Sequence, residues 1–151
     1  MGAIMEFATE KQIASFLSTC RIEGQKNFLM AFKKKTWLKS FIDFFIIGGS
    51  YYVQSCVKPK LIAFTPKGIY LMDISDVTGN RSNQVVEMPW NQVKDFAYKI
   101  VLNTVRLNWN YQNEDYIFSV DVGQIGQHVG QYQFNKEHYD YLAQQDFFRS
   151  Q

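Results

Sequence analysis

The sequence predicts an α+β domain, mostly antiparallel β, in which about seven short strands form a small barrel that a C-terminal helix closes. Aromatic residues make up 17% of the chain, and their flat side chains pack well on a pleated sheet. The central apolar runs are separated by tight turns and by no helices, which disfavours a parallel sheet. An amphipathic segment at each end has the period of a helix.

The first element is predicted to be an additional N-terminal helix. Thr9 and Gln12 have the spacing of a capping box, in which each side chain bonds the other residue's backbone N–H. We expect Gly24 to end the helix, because glycine enters the left-handed cap without strain. The apolar residues that follow the cap share one helical face: Ile13, Phe16, Leu17 and Cys20.

Two hairpins are the clearest signals in the strand region. Lys60–Thr65 and Gly68–Asp73 flank Pro66-Lys67, and proline sets the backbone angle that a turn needs. In the second hairpin, Thr104–Trp109 alternates polar and apolar residues, a turn spans 112–114, and Asp115–Val120 returns. Further strands are predicted at 27–35, at Gln84–Met88 before Pro89, and at Val93–Ile100, with a polar loop over Val77–Asn83.

We expect one domain over residues 1–151. It divides into an N-terminal helix within 1–24, strands within 25–121, a Gly/Gln-rich loop over 122–134 and a C-terminal helix over 135–148. Asn135 is the predicted N-cap of that last helix, and its buried face is predicted to comprise Tyr139, Leu142, Ala143 and Phe147.

Composition restricts the possible functions. A formal net charge of +2 argues against a nucleic-acid binder, which needs many phosphate contacts. Cys20 and Cys56 form no paired motif, so we expect reduced thiols and a cytoplasmic protein. Thr36–Val53 is apolar but contains Lys39 and Asp43, and we expect no membrane-spanning helix there.

The strand region resembles the bacterial pleckstrin-homology-like domains, which are related in shape to the GRAM domains. The likeness lies in LIAFTPKGIYLMD (Leu61–Asp73), in EMPWNQVKDF (Glu87–Phe96), in the strands around Trp109 and Phe118, and in the terminal helix. It implies a binding or scaffolding module without a cofactor, of a kind that sometimes assembles as oligomers. The basic-x-Arg step of the phosphoinositide-binding relatives is missing, because Thr36 and Trp37 follow the lysines at 33–35.

No residue pattern in the chain predicts catalysis, a metal site or a cofactor. His128 and His138 are joined by no further ligands at zinc-site spacing. The serines lack the glycines of a nucleophile elbow, and the Gly series 123, 126 and 130 matches no phosphate-binding loop. Glu114 and Asp115 fall in a turn, where solvated carboxylates are expected.

One basic and aromatic segment is the best candidate for a contact surface. Cations near an anionic leaflet attract it, and aromatic rings seat at the interface. In the simpler interpretation, which we favour, the aromatic residues are core and the lysines are a solvated strand end that blocks edge pairing. The fold of Trp37–Ile47 stays open between helix and strand. The candidate residues are Lys33, Lys34, Lys35, Trp37, Lys39, Phe41, Phe44 and Phe45.

The sequence therefore predicts a non-enzymatic binding or scaffolding module. Its partner would be a protein segment or a second copy of the chain, taken at an exposed strand edge or in the groove beside the last helix. The first alternative is a peripheral membrane module that binds anionic lipid through the basic and aromatic segment. A small-molecule carrier with an aromatic barrel interior ranks third, and an enzyme ranks last.

Overall fold

The computed structural model describes residues 9–23, 25–33, 59–123 and 134–149. Within these ranges the predicted α+β class with an antiparallel sheet is confirmed. The helices are α1 (Glu10–Thr19), α2 (Ile74–Thr78) and α3 (Phe134–Gln144). The strands are β1 (Phe28–Lys33), β2 (Pro59–Thr65), β3 (Gly68–Asp73), β4 (Val86–Pro89), β5 (Val93–Val101), β6 (Thr104–Tyr111) and β7 (Glu114–Asp121).

The seven described strands form one sheet in the order β4-β3-β2-β1-β7-β6-β5, and every neighbouring pair is antiparallel. The strand number agrees with the prediction, but the predicted closed barrel is wrong. The sheet has two edges, β4 and β5, and no backbone ladder joins them within the described part of the chain.

Side chains connect the β4 edge to β6, the strand next to the opposite edge. The indole Nε1 of Trp109 on β6 donates to the sulfur of Met88 on β4 at 3.2 Å. Two features explain why no ladder forms there. β4 has only 4 residues and ends at Pro89, which lacks a backbone donor. β5 carries a bulge between Lys94 and Ala97, with Asp95 at a φ of 57°, and bulges disrupt pairing.

Strands β1 and β2 are buried on both faces, which explains their nearly continuous apolar runs. One core cluster lies inside the curved sheet, beneath α3, and includes Leu29, Ile62, Phe64, Trp109, Phe118, Leu142 and Phe147. The other lies on the outer face of β1–β3, where α1 and α2 pack, and includes Phe16, Leu17, Phe28, Met30, Leu61 and Phe134. The N-terminal helix therefore belongs to the core.

The predicted hairpins are confirmed. Thr65 pairs with Gly68 across the Pro66-Lys67 turn, and the Thr65 hydroxyl accepts hydrogen bonds from the N–H groups of Lys67 and Gly68 at 3.1 and 3.3 Å. Gly68 is required because a Cβ there would overlap the Met88 carbonyl of β4. In the second hairpin, Val105, Leu107 and Trp109 are buried on one face, as their alternation predicts.

The N-terminal helix begins as predicted and ends earlier. Thr9 and Gln12 form both bonds of the capping box. Gly24 is not the stop: α1 ends at Thr19, and Arg21 takes the left-handed position with a φ of 62°. The N–H of Ile22 then bonds the Leu17 carbonyl at 2.8 Å, which completes a Schellman-type cap without glycine.

Two further boundaries differ from the prediction. The expected polar loop Val77–Asn83 begins inside a helix, because α2 covers Ile74–Thr78 and buries Ile74 and Val77 against α1. The expected strand Gln84–Met88 is shifted, since β4 covers Val86–Pro89. Pro89 is tolerated as a strand residue because β4 is an edge.

Asn135 is not the N-cap of the last helix but its second residue, 1% exposed. β1 pairs with β7 only at Phe32 and Lys33, so the first half of β1 faces α3 instead. Asn135 replaces the missing strand there: Oδ1 accepts from the Met30 N–H at 2.9 Å, and Nδ2 donates to the Met30 carbonyl at 3.0 Å. The same Nδ2 donates to the Asp121 carbonyl at 3.2 Å.

Candidate functional site

The predicted basic and aromatic segment falls almost wholly outside the described residues. The backbone of Lys33 is described: it ends β1 and pairs with Phe118 of β7. Whether the segment is core or contact surface stays a prediction, and Cys56 and His128 also lie outside the described ranges. The remaining candidates outside them are Lys34, Lys35, Trp37, Lys39, Phe41, Phe44 and Phe45.

A turn with left-handed backbone angles follows α3 and contains two adjacent phenylalanines, which differ in burial. Asp146, Phe147 and Phe148 have φ angles of 49°, 54° and 63°, and this conformation costs an L-residue about 1–2 kcal/mol. Phe147 is fully buried, with its ring 4.9 Å from that of Phe64 and 4.5 Å from that of Tyr98. Phe148 is half-buried: it packs at the margin of the same core cluster and also lines an open cleft.

Arg149 holds this turn against the bulged edge strand. Its guanidinium donates to the Asp146 carboxylate at 2.8 and 3.1 Å and to the Phe96 carbonyl of β5 at 3.0 Å. It also stacks over the Phe96 ring, 5.4 Å from the centroid. The Tyr98 hydroxyl donates to Asp146 at 3.3 Å, and burial, followed by the Asp146 charge, raises the pKa of Tyr98.

An open cleft of about 370 Å³ lies beside α3, and we call it the C-terminal cleft. Phe148 forms one of its walls, so the left-handed turn shapes it. Its apolar lining is Phe64, Pro66, Tyr141 and Phe148, and its polar lining is Glu23, Gln25, Lys26 and Asn27.

The polar wall of the C-terminal cleft is fixed by the buried Asn27. Its Nδ2 donates to the carbonyls of Glu23 and Phe64 at 2.6 and 2.8 Å, and its Oδ1 accepts from the Gln25 N–H at 3.0 Å. Lys26 is paired with Glu137 of α3 at 3.0 Å. The wall thus presents a mixture of backbone groups and both signs of charge beside aromatic rings.

A second exposed feature is the end of the β5–β6 hairpin. Ile100, Val101 and Leu102 are 48%, 53% and 91% exposed, and we call these three residues the apolar tip. Leu102 has a φ of 57° in the turn. One rung behind the tip, Lys99 lies directly opposite Arg106.

His138 is structural in the described fold. Its ring is fully buried, and Nδ1 donates to the Phe28 carbonyl of β1 at 2.8 Å. Nε2 faces the Glu10 carboxylate of α1 at 3.4 Å without hydrogen-bond geometry. The side chain therefore joins α3 to β1 and lies against α1.

The remaining polar candidates are dispersed. Glu114 and Asp115 are exposed, as predicted, but they lie in β7 and not in the turn, which covers only 112–113. Burial raises the pKa of the Cys20 thiol. No group of three His, Cys, Asp or Glu residues able to hold a metal occurs within the described ranges. Of the helices that the structure describes, none has the length and apolar character to cross a membrane.

Sequence reasoning missed the left-handed turn and the apolar tip, although each has a signal. The signal for the turn is weak: Phe147 and Phe148 are adjacent apolar residues at the end of the amphipathic segment, and both pack against one core cluster. Ile100-Val101-Leu102 breaks the alternation expected of a half-buried strand.

Comparison with known proteins adds no assignment, since the chain matches no protein-family model and no curated protein.

Proposed function

We propose that the chain is a cytoplasmic, non-enzymatic binding or scaffolding module of pleckstrin-homology-like fold. Its ligand is an extended protein segment, from another protein or from a second copy, seated in the C-terminal cleft. The observation that carries this proposal is the left-handed turn. Its strained backbone angles bury Phe147 while leaving Phe148 in the cleft wall. Strain of this kind concentrates at binding and switch sites.

The fold assignment is supported by the seven strands, by the side-chain contact between the β4 edge and β6, and by the terminal helix over the sheet. The residues that carry the family resemblance also fall on corresponding elements. Leu61–Asp73 forms most of the β2–β3 hairpin, and Glu87–Phe96 runs from β4 through a turn into β5.

The character of the cleft favours a protein segment as ligand. Its volume is at the lower end of the about 300–1,000 Å³ of small-molecule sites, and it is open rather than enclosed. Aromatic rings from Tyr141 and Phe148 suit an apolar anchor side chain, while the polar wall at 23–27 offers groups for the ligand backbone. A short extended segment uses both walls.

The test is selection of binders from a random peptide library displayed on phage, with the purified protein as the target. We expect enriched peptides to share an apolar or aromatic anchor. Their affinity should fall about tenfold or more for Tyr141→Ser, because an aromatic contact is lost from the cleft. Tyr111→Ser, a half-buried tyrosine that does not line the cleft, is the matched control and should bind normally.

Two results would refute the cleft as the binding site. One is selection that enriches no shared motif, and the other is equal affinity of the enriched peptides for wild type and Tyr141→Ser. Light scattering over a concentration series separates the two sources of ligand. A mass that rises with concentration, and does not rise for Tyr141→Ser, identifies a second copy as the donor of the segment.

A further inference from the structure

The apolar tip is an exposed feature that the proposed function leaves unexplained. Single exposed apolar residues are common on protein surfaces, but here three consecutive ones occupy the end of a hairpin. Leu102 is 91% exposed, so folding does not remove its side chain from water.

The backbone of Leu102 makes its exposure more unusual. Its φ of 57° lies in the left-handed region, where two-residue hairpin turns select glycine or asparagine. The neighbouring β6–β7 hairpin has polar residues at its two left-handed positions, Gln112 and Asn113, with φ angles of 54° and 65°, and of these only Asn113 is a preferred type. Leucine at 102 is therefore unfavourable both for the turn and for hydration.

The charges behind the tip indicate what meets it. Lys99 and Arg106 are directly opposite each other on the outer face, and like charges in that position repel. Among the ion pairs between described residues, none includes either side chain. Asp95 and Asp115 line a surface pocket together with Arg106, and Asp121 of β7 accepts the Gly123 N–H at 2.9 Å. None of these three carboxylates forms a described ion pair with Lys99 or Arg106. An external anion would relieve the repulsion.

We propose that the apolar tip inserts into the surface of an anionic lipid bilayer, with Lys99 and Arg106 at the level of the headgroups. Leu102 lies three residues beyond Lys99, or about 10 Å along a strand. That length matches the about 5–10 Å depth at which apolar side chains seat below the headgroups.

A bilayer fits the tip better than a protein does. A stable protein interface uses about 20–30 residues on each side, whereas the tip offers three apolar side chains on a convex projection. A lipid surface needs no complementary shape, and anionic headgroups attract nearby Lys and Arg. This contact is independent of the C-terminal cleft, so a membrane-bound chain keeps its cleft available.

The test is flotation of the full chain with phosphatidylcholine vesicles, with and without phosphatidylserine. Wild type should float with the anionic vesicles. Leu102→Asn should bind them about tenfold more weakly, as expected when one leucine no longer leaves water. Its thermal midpoint should stay equal or rise, because asparagine suits the turn. Val86→Asn, an exposed apolar residue on the opposite edge, is the matched control and should float normally.

Charge and location are tested by two further variants. Changing Lys99 and Arg106 together to Gln should abolish the preference for anionic over neutral vesicles. Tyr141→Ser should float like wild type, which separates a failure of this proposal from a failure of the cleft.

Several results would overturn the proposal. The proposal fails if the wild-type protein does not float, and it also fails if Leu102→Asn floats like wild type. Loss of flotation only when Lys33, Lys34 and Lys35 are changed together to Glu would transfer membrane contact to the basic segment. A concentration-dependent mass that Leu102→Asn abolishes, without vesicle binding, would make the tip a protein contact.

Discussion

Asn135→Ala should lower the free energy of unfolding by about 4–6 kcal/mol. The amide makes three hydrogen bonds, two to the backbone of Met30 and one to the Asp121 carbonyl. Each contributes about 1 kcal/mol net, and the Met30 N–H, left buried without its partner, adds a penalty of about 1–3 kcal/mol. The loss is a large share of the about 5–15 kcal/mol that stabilises a typical domain.

Urea denaturation followed by circular dichroism measures this change, and the thermal midpoint should fall by about 10–20 °C. Gln144→Ala, an exposed substitution at the end of the same helix, is the control and should stay within about 0.5 kcal/mol. Asn135→Asp should also destabilise, because a carboxylate accepts from Met30 N–H but cannot donate to the two carbonyls. A loss below about 1 kcal/mol for Asn135→Ala would refute the role of the amide as a replacement for a strand.

Three further predictions follow from other parts of the fold. Phe147→Ala removes a fully buried ring and should lower the free energy of unfolding, measured by urea titration, by about 3–5 kcal/mol. If Phe148→Ala lowered it more than Phe147→Ala, the assignment of Phe147 to the core and Phe148 to the cleft would be contradicted. Arg21→Gly relieves a left-handed φ and should raise stability by about 0.5–1 kcal/mol, so a lower thermal midpoint would count against the cap assignment. Burial, with nearby Asp146 and Asp140, raises the pKa of Tyr98 and Tyr139. Their phenolates are disfavoured in the folded state, so the contribution of the two tyrosines to stability should be constant below pH about 10 and fall as the pH rises further. A denaturation series in alkaline buffers measures this fall, which should be shallower for Tyr98→Phe.

Elements with local signals could be predicted from the sequence. The capping box needs only Thr9 and Gln12, and the first hairpin needs only Pro66-Lys67 and the flanking apolar runs. In β6 every second side chain is buried, as at Val105 and Leu107, because successive residues of a strand face opposite sides of the sheet. In each case the determining groups are close in the sequence, so tertiary contacts reinforce the local preference.

Features that depend on distant partners could not be predicted. An asparagine before an amphipathic segment has the local pattern of an N-cap, and only the gap between β1 and β7 assigns Asn135 to Met30. Whether Arg21 or Gly24 takes the left-handed position at the end of α1 depends on where Ile22 packs. The failure of the sheet to close depends in part on the bulge at Asp95, which no local pattern indicates.

The two candidate sites, the C-terminal cleft and the apolar tip, also differ in how far the sequence predicts them. The C-terminal cleft joins segments around residues 23–27, 64–66 and 141–148, so the sequence predicts only a groove beside the last helix. The apolar tip is contiguous and visible in the sequence, but its meaning depends on the backbone angle of Leu102 and on the pairing of Lys99 with Arg106.

The way in which α3 completes β1 sets an order of events during synthesis. Asn135 bonds Met30 across 105 residues, and His138 bonds Phe28 across 110. While the ribosome is still adding the central strands, the backbone of β1 has no native partner on that side. We therefore expect the nascent chain to stay only partly folded until α3 has emerged, and then to fold cooperatively. Contacts of such long sequence separation slow folding, and a strand left open during this interval is a site where chaperones bind or neighbouring chains pair.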